Sequence, residues 1–226
     1  MRRSAAGLAV VSVLALATVA SAQEGGGGSW TYGAPLGAGR SAIDAQFGFP
    51  DISVGYLTSM NDRMDIGGHF AFMYGVEGDP SFFNGGGLVP GIKLAGDLKY
   101  LVARSGRADI MLAFSPALVS YFKNGASIFG LQLPVPELVV GLPISAPLLV
   151  HFGIKIPWTI GITTGNGQSL FTMLIPISIG GGMEFQIDSR LSLTFGFRIG
   201  PEIEDIDGNV VTDPAFEALF GVTYRL

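Results

Sequence analysis

The stretch that most constrains the fold is 214–226, where apolar residues alternate with other residues. Alternation with period two indicates a β-strand, since successive side chains of a strand point to opposite faces. The stretch runs to the last residue, where a strand of a soluble domain would usually fray. An apolar terminal strand is stable when both its edges are paired and its outer face meets lipid. The apolar face predicted here is Phe216, Ala218, Phe220, Val222, Tyr224 and Leu226.

The beginning of the chain has the organisation of a secretory signal peptide. Arg2 and Arg3 precede an uncharged apolar run over 5–20, and the small residues 20–22 provide a cleavage site. The run is shorter than the roughly 20 apolar residues of a transmembrane helix. We therefore expect a cleaved signal peptide (1–22), a Gly-rich N-terminal segment (23–40) and a single domain (41–226).

Composition favours a membrane protein that crosses with strands. Hydrophobic residues make up 48% of the chain and charged residues 14%, with a mean hydropathy of +0.47. A soluble domain carries about 25% charged residues. Prolines interrupt the most apolar region, so no spanning helix is expected there, and a closed β-barrel is the remaining way to cross lipid. The net charge of −5 argues against a nucleic-acid partner. The absence of Cys excludes disulfides and thiolate metal sites.

Turn signals divide the chain into five hairpins. Arg63, Arg107 and Arg190 each stand in a short turn before an alternating segment. The first two are 44 residues apart (107 − 63). The last two are 83 residues apart (190 − 107), which is close to two steps of that length. This spacing predicts ten strands, with eight or twelve as the alternatives, and an even count places both ends of the domain's chain on the periplasmic side. The predicted strands are 41–49, 52–58, 64–74, 88–102, 108–121, 127–142, 148–162, 169–186, 191–199 and 216–226.

Three features refine this prediction. The prolines at 116, 134, 136, 157 and 176 fall inside predicted strands, where each removes a ladder donor, so bulges or a less regular middle section are expected. The stretch 201–213 is predicted to be an acidic external loop; residues 205–209 loosely resemble a calcium loop, but the spacing to the final Glu is wrong. Aromatic residues predict two interfacial girdles, an outer one of Tyr74, Tyr121, Trp158 and Phe171 and an inner one of Tyr56, Tyr100, Phe185 and Tyr224.

No pattern indicates catalysis, a metal or a cofactor. His69 and His151 are the only histidines, and neither belongs to a nucleophile–base motif, so no enzymatic activity is predicted. A barrel of about eight strands has an interior just filled by side chains, and ten strands add little room, so a wide channel is not expected. Charges of both signs are predicted to line the lumen and to pair across it: His69, Lys93, Asp97, Lys99, His151, Lys155, Glu184, Arg198, Glu217 and Arg225.

In its signal peptide, hairpin pattern and terminal strand, the chain resembles small bacterial outer-membrane β-barrel proteins of the porin-like and OmpA-like families. The resemblance implies an all-β, closed antiparallel transmembrane barrel in the outer membrane of a Gram-negative bacterium. Its partners would be outer-membrane lipid, periplasmic chaperones and the barrel-assembly machinery. That machinery reads the closing strand in this family, which assigns an assembly signal to Phe220, Val222, Tyr224 and Leu226, although the family usually ends in Phe.

The resemblance leaves the role open between a narrow channel for small solutes and a structural barrel. Two other hypotheses compete with it. One is a secreted, soluble β-sandwich that acts as a binding module. The other is an outer-membrane lipid hydrolase, for which His151 would be the candidate base. The sequence does not predict an oligomeric state.

Overall fold

The computed structural model describes residues 33–75, 89–123, 126–165 and 167–226, which are built from strands and turns. The predicted signal peptide (1–22) lies outside the described residues. Over the described ranges, no helix is both long enough and apolar enough to cross a bilayer. The strand segments are β1 (Ser41–Phe49), β2 (Asp51–Asn61), β3 (Met64–Met73), β4 (Gly91–Ser105), β5 (Ala108–Phe114), β6 (Ala117–Lys123), β7 (Ala126–Leu133), β8 (Glu137–Ser145), β9 (Leu148–Lys155), β10 (Trp158–Gly165), β11 (Gln168–Pro176), β12 (Ser178–Gln186), β13 (Leu191–Ile206) and β14 (Asn209–Arg225).

The segments β5 to β12 are the halves of four strands, each of which is interrupted once. Together with β1 to β4, β13 and β14, these four strands give the barrel ten. Strand β4 pairs with β6 at Ala95↔Ala117 and with β5 at Leu98↔Phe114. Between these pairs both chains advance by three residues (98 − 95 and 117 − 114), so the register continues through the interruption. The joined strands are β5 with β6, β7 with β8, β9 with β10, and β11 with β12. The prediction of ten antiparallel strands is confirmed.

The barrel closes where the first strand meets the last. Strands β1 and β14 pair antiparallel from Ala42↔Arg225 to Phe49↔Ala218, and the Leu226 N–H donates to the Ser41 carbonyl at 2.9 Å. The strand order runs around a single ladder that returns on itself through the β4–β5 and β11–β13 pairings. A sandwich of two stacked sheets is therefore excluded.

The prolines that the sequence places inside strands lie at the interruptions. Pro116 separates β5 from β6, Pro157 separates β9 from β10, and Pro176 ends β11. The positions at which proline lacks an N–H donor thus coincide with breaks in the hydrogen-bond ladder. Carbonyls at this level still accept hydrogen bonds, as from Gly96 N to Pro116 O at 2.9 Å. The expected irregular middle section is a row of breaks in four neighbouring strands.

The outward face of the barrel is apolar and the inward face is buried. Phe197 and Ile199 on β13 are 38% and 54% exposed, whereas Thr194 is 6% exposed. The same alternation holds on the terminal strand, where the predicted assembly residues Phe220, Val222, Tyr224 and Leu226 are all exposed. Because strand side chains alternate, each strand supplies one apolar surface to the outside and one face to the interior.

The predicted acidic loop at 201–213 is wrong. Strands β13 and β14 continue to Ile206 and Asn209, and only Asp207 and Gly208 form the turn. Both turn residues have positive φ (52° and 84°), which a two-residue hairpin turn of this kind requires. Asp205 Oδ1 accepts from the Gly208 N–H at 2.8 Å, which shows why acidic residues suit this position. The charges led the sequence analysis to a loop, but β13 pairs with both β14 and β11 here.

The predicted outer aromatic girdle is wrong at two positions. Tyr121 is 3% exposed and packs in a buried cluster with Ala71, Met73 and Val119. Trp158 is exposed but begins β10 at the row of breaks, away from the strand end. The inner girdle fits the structure better, because its four members are all exposed: Tyr56, Tyr100, Phe185 and Tyr224.

Close strand packing at the glycine run 180–182 gives a test of the fold. A Cβ at Gly180 would collide with the Phe197 carbonyl and lie 2.7 Å from the Arg198 Cα, whereas a Cβ at Gly196 would meet nothing within 4 Å. We predict that Gly180→Ala lowers the free energy of unfolding by about 1–3 kcal/mol, the usual cost of overpacking. Urea titration in detergent micelles measures this. Gly196→Ala on the facing strand is the control, and an equal loss in both variants would contradict the packing described.

Candidate functional site in the barrel interior

The predicted lumen residues lie on the buried faces of the strands. Eight of the ten form the side-chain hydrogen bonds and ion pairs described below, and Lys93 and His151 are also buried, each 5% exposed. His69 and Lys155 have the more accessible side chains, each 19% exposed. The paired residues are His69, Asp97, Lys99, Lys155, Glu184, Arg198, Glu217 and Arg225. That these residues line a lumen stays a prediction.

The largest group of charges joins four strands near the row of breaks. Arg198 on β13 donates from Nη1 to Glu217 Oε1 on β14 at 2.5 Å, and its Nη2 pairs with Glu137 on β8. Lys155 on β9 donates to the other Glu217 oxygen at 3.2 Å. Two cations thus meet two carboxylates, so the group is neutral as a whole. Buried charges persist when they are paired in this way.

A second group surrounds the carboxylate of Asp97. His69 Nδ1 lies 2.7 Å from Asp97 Oδ2, and Ser115 Oγ donates to Asp97 Oδ1 at 2.7 Å. The carboxylate therefore stands between the imidazole and the hydroxyl, whereas nucleophilic catalysis needs the imidazole beside the hydroxyl. His151 Nδ1 has no hydrogen-bond partner among the described residues. The group of Asp97 is a hydrogen-bonded structural cluster rather than a nucleophile–base pair.

Metal ligands do not cluster in the described ranges. No group of three or more His, Cys, Asp or Glu side chains there could hold a metal ion. The absence of an enzymatic activity, a metal and a cofactor stays a prediction.

The interior beside the first and last strands is closely packed. Lys99 Nζ lies 3.3 Å from Asp65 Oδ2, and both side chains are fully buried. Arg225 Nη2 donates to Glu184 Oε1 at 2.5 Å. Asp44 accepts from the Thr223 hydroxyl at 2.5 Å across the β1–β14 junction. These contacts tie the closing strands to the interior as well as to each other.

The residues Gly33–Arg40, here called the N-terminal strap, enter this interior. On one side the strap is held by the wall of β2, β3 and β4. The Leu36 N–H donates to Asp65 Oδ2 at 2.9 Å, and Lys99 Nζ donates to the Ala34 carbonyl at 3.2 Å. The Leu36 side chain is 1% exposed and packs with Ala42 and Leu57. The buried Lys99–Asp65 pair therefore also binds the strap backbone.

The other end of the strap reaches the wall of β8 and β9. A Cβ at Gly141 on β8 would collide with the Gly33 carbonyl oxygen. A Cβ at Gly33 would lie 3.3 Å from the His151 Cβ and 2.9 Å from Leu149 Cδ2, both on β9. In the closed ladder, β8 is separated from β4 by β5 and from β1 by β9, β12, β13 and β14. The strap thus crosses the lumen from one wall to another.

A turn at the same end of the barrel is fixed by a carboxylate. Asp188 Oδ1 accepts from the Arg190 and Leu191 N–H groups at 2.7 and 2.8 Å. These two hydrogen bonds hold the pKa of Asp188 below its ordinary value of 3.8, because they favour the ionised form. Arg190 Nη1 in turn donates to the Tyr224 hydroxyl at 3.2 Å, which joins the turn to the terminal strand.

Sequence reasoning missed several interior residues. Asp44 and Asp65 lie on the buried faces of predicted strands, so strict alternation could have identified them. Ser115 and Glu137 directly adjoin prolines, where alternation gives no guide to orientation. The sequence of the strap has no hydrophobic periodicity. Only Pro35 and Leu36, which are buried in the structure, distinguish it from a linker.

Comparisons with known proteins find similar solved structures at low sequence identity. No protein-family model and no curated protein matches the chain. Similar solved structures include the N-terminal β-barrel domain of Pseudomonas aeruginosa OprF, at 9% identity and a TM-score of 0.36 over 84% of this chain and 99% of that one. Neisserial surface protein A has 11% identity and a TM-score of 0.39 over 82% and 95%. The Yersinia pestis attachment invasion locus protein Ail has 13% and 0.24 over 84% and 99%.

At this level of superposition the matches carry no argument about function. The architecture follows from the strand pairing described above, in which ten antiparallel strands form one closed ladder. The fold is a closed, ten-stranded antiparallel β-barrel with an apolar outer face. The resemblance drawn from the sequence is confirmed at the level of fold.

The buried pair under the strap gives a prediction about stability. Lys99→Met should lower the free energy of unfolding by about 3–5 kcal/mol, because it leaves the Asp65 carboxylate buried without its cation. The double variant Lys99→Met, Asp65→Asn should recover most of that loss. Urea unfolding in detergent micelles, followed by tryptophan fluorescence, measures both.

The control for this prediction is an ion pair at the rim. Arg104 pairs with Asp109 at 2.6 Å, but its side chain is 61% exposed. Arg104→Met should cost no more than about 1 kcal/mol, as for other surface pairs. Equal losses for Lys99→Met and the double variant would contradict the account of a buried pair.

Proposed function

We propose that the protein is an integral outer-membrane β-barrel whose lumen is closed by its own N-terminal strap, and that it acts as a structural barrel rather than an open channel. The observation that carries this proposal is the passage of the strap through the interior, from the Lys99–Asp65 pair to Gly141. A channel for small solutes would need that passage to be clear.

The outward surface supports a position within a membrane. Large apolar side chains stand exposed on strands all around the barrel, for example Phe47 at 58%, Leu118 at 62% and Ile179 at 61%. A monomer in water rarely exposes a continuous apolar surface of this kind. In hydrocarbon the same side chains are stable, and the closed ladder leaves its first and last strands paired with each other. Barrels of this type belong to outer membranes, with both ends of the chain on the periplasmic side.

The packing of side chains inside the barrel supports a closed lumen. The side chains that meet in it are paired charges, small residues and larger apolar residues such as Tyr121 and Met73, in keeping with the small lumen of a barrel of about ten strands. Leu36 occupies the space beside Ala42 and Leu57, and Gly33 lies against Gly141. Water and ions have to displace these groups before they can cross.

The test combines fractionation with conductance. The protein should fractionate with outer membranes, and its gel mobility should shift on boiling. In planar bilayers the purified wild type should produce no stable open steps. Leu36→Asp should produce small steps, because a second carboxylate beside Asp65 expels the strap from the lumen. Gly141→Val should do the same, since its side chain would occupy the place of Gly33.

Leu36→Met is the matched control, because it keeps the apolar volume and should stay closed. Stable open steps from the wild type would contradict the closed barrel and favour a narrow channel. Recovery of the protein as a soluble periplasmic species would contradict the membrane location itself. If Leu36→Asp and Gly141→Val produce no open steps, the ion pairs rather than the strap would be what closes the barrel. That result would refute the role proposed for the strap.

A further inference from the structure

The outer wall of the barrel carries a depression in the half that is remote from the chain ends. Its volume is about 720 Å³, and it extends over six neighbouring segments, from Phe70 on β3 to Phe171 on β11. Nearly all its lining residues are apolar, and most of them point away from the interior. A volume of this size is typical of small-molecule sites.

The strand register explains why the wall is hollow at this point. Residues that pair directly across neighbouring strands share a face of the sheet. One such row crosses the outer wall, and every member except one is a large apolar residue. The exception is Ser120, whose small side chain leaves a gap between its two large neighbours. The row is Phe72, Ile92, Ser120, Phe129, Ile162 and Phe171.

Ser120 provides a polar group at the floor of this apolar groove. It pairs with Ile92 and Phe129, which are 45% and 59% exposed, so it faces outward, yet it is only 6% exposed itself. Its hydroxyl has no hydrogen-bond partner among the described residues. Lys93, the other polar residue beside the groove, is opposite Val119 on the inward face. A buried hydroxyl without a partner is costly, so its position in the groove indicates a ligand that carries an acceptor.

The depth of Ser120 indicates which part of a ligand it meets. Strand β6 ends at Lys123, three residues further on, so Ser120 lies about 10 Å from the strand end at about 3.3 Å per residue. From there the groove continues toward the middle of the wall along the next row, which includes Leu94, Leu118 and Leu131. The polar group thus stands near the membrane surface, and the apolar part extends into the membrane.

We propose that this groove binds one acyl chain of a membrane lipid, with Ser120 Oγ donating a hydrogen bond to the ester carbonyl of that chain. The proposal rests on the membrane location proposed above. The occupant is a membrane lipid rather than a free fatty acid or a second copy of this chain, because lipid surrounds the groove at far higher concentration. An ester carbonyl at the head of a hydrocarbon chain also matches the order of polar and apolar groups in the groove.

The test compares lipids with and without the carbonyl. The full-length mature protein is reconstituted in nanodiscs of ester-linked or ether-linked phosphatidylcholine with identical chains, transferred to mild detergent and analysed by native mass spectrometry. The wild type should retain one lipid molecule, with about twofold to tenfold higher occupancy for the ester lipid, the range expected of one hydrogen bond. Ser120→Ala should lose this preference, because it removes the donor.

Two further variants separate the groove from the rest of the wall. Leu131→Trp should fill the groove and abolish retention of either lipid. Leu193→Trp is the matched control, because Leu193 is an outward leucine, 46% exposed, that does not line the groove. It should retain lipid as the wild type does. Gel mobility shifts on boiling establish that each variant is folded, and Ile162→Trp replaces Leu131→Trp if that variant does not fold.

The outcomes distinguish this proposal from the one on which it rests. Failure of the wild type to enter nanodiscs would overturn the membrane location. Entry without a retained lipid, or equal retention by the wild type and Leu131→Trp, would overturn the groove alone. Equal occupancy of ester and ether lipids would overturn the role of Ser120. A dimer mass that Leu131→Trp abolishes would assign the groove to a second copy of the chain.

Discussion

The structure depends on the pairing of its first strand with its last. In hydrocarbon an unpaired backbone N–H or carbonyl has no water to bind, so a sheet within a membrane has to close. The β1–β14 ladder, from Ala42↔Arg225 to Phe49↔Ala218, provides that closure. The same requirement explains the location of the prolines. Four neighbouring strands are interrupted at one level, where the backbone already departs from the ladder and a missing donor costs least.

Alternation along each strand links the outside of the barrel to its inside. When one face of a strand points to lipid, the opposite face has to point into the narrow interior. In this chain that interior contains charged side chains. The charges are stable there because they meet partners, as Arg198 meets Glu217 and Glu137. The strap adds backbone groups to this arrangement, because Lys99 and Asp65 pair with each other and also form hydrogen bonds to the strap backbone. The interior is therefore part of what holds the barrel together.

Much of this fold could be predicted from the sequence, because the alternation of residues reflects burial directly. The first strand begins at Ser41 as predicted, and the turns near Arg63, Arg107 and Arg190 lie at one end of the barrel. Prediction failed where another constraint overrode the pattern. Residues 201–213 look like a loop by charge, but all except the turn residues Asp207 and Gly208 are strand, because their backbone pairs on one or both sides.

The candidate site could be predicted only in part. Alternation identified the charged faces, but pairing depends on which strands are neighbours across the lumen, which no local pattern encodes. Tyr121 was assigned to the surface, whereas small side chains at Ala71 and Ala117 leave room for it inside. The strap was assigned to a Gly-rich N-terminal segment outside the domain, because its contacts are with residues far away in the sequence, from the Lys99–Ala34 hydrogen bond, 65 positions apart, to the approach of Gly33 to Gly141. Long-range contacts of this kind appear only once the barrel is closed.

The most direct test of this account is a disulfide across the closing strands. The chain has no Cys, and Ala45 pairs directly with Val222 on the outward face. Facing residues of an antiparallel pair lie about 4.5–5.5 Å apart at Cα, within the range that a disulfide spans. Ala45→Cys with Val222→Cys should cross-link under mild oxidation in membranes, while Ala45→Cys with Leu193→Cys, one strand further away, should not. A folded Ala45–Val222 pair that fails to cross-link, or equal cross-linking of both pairs, would contradict the closed barrel.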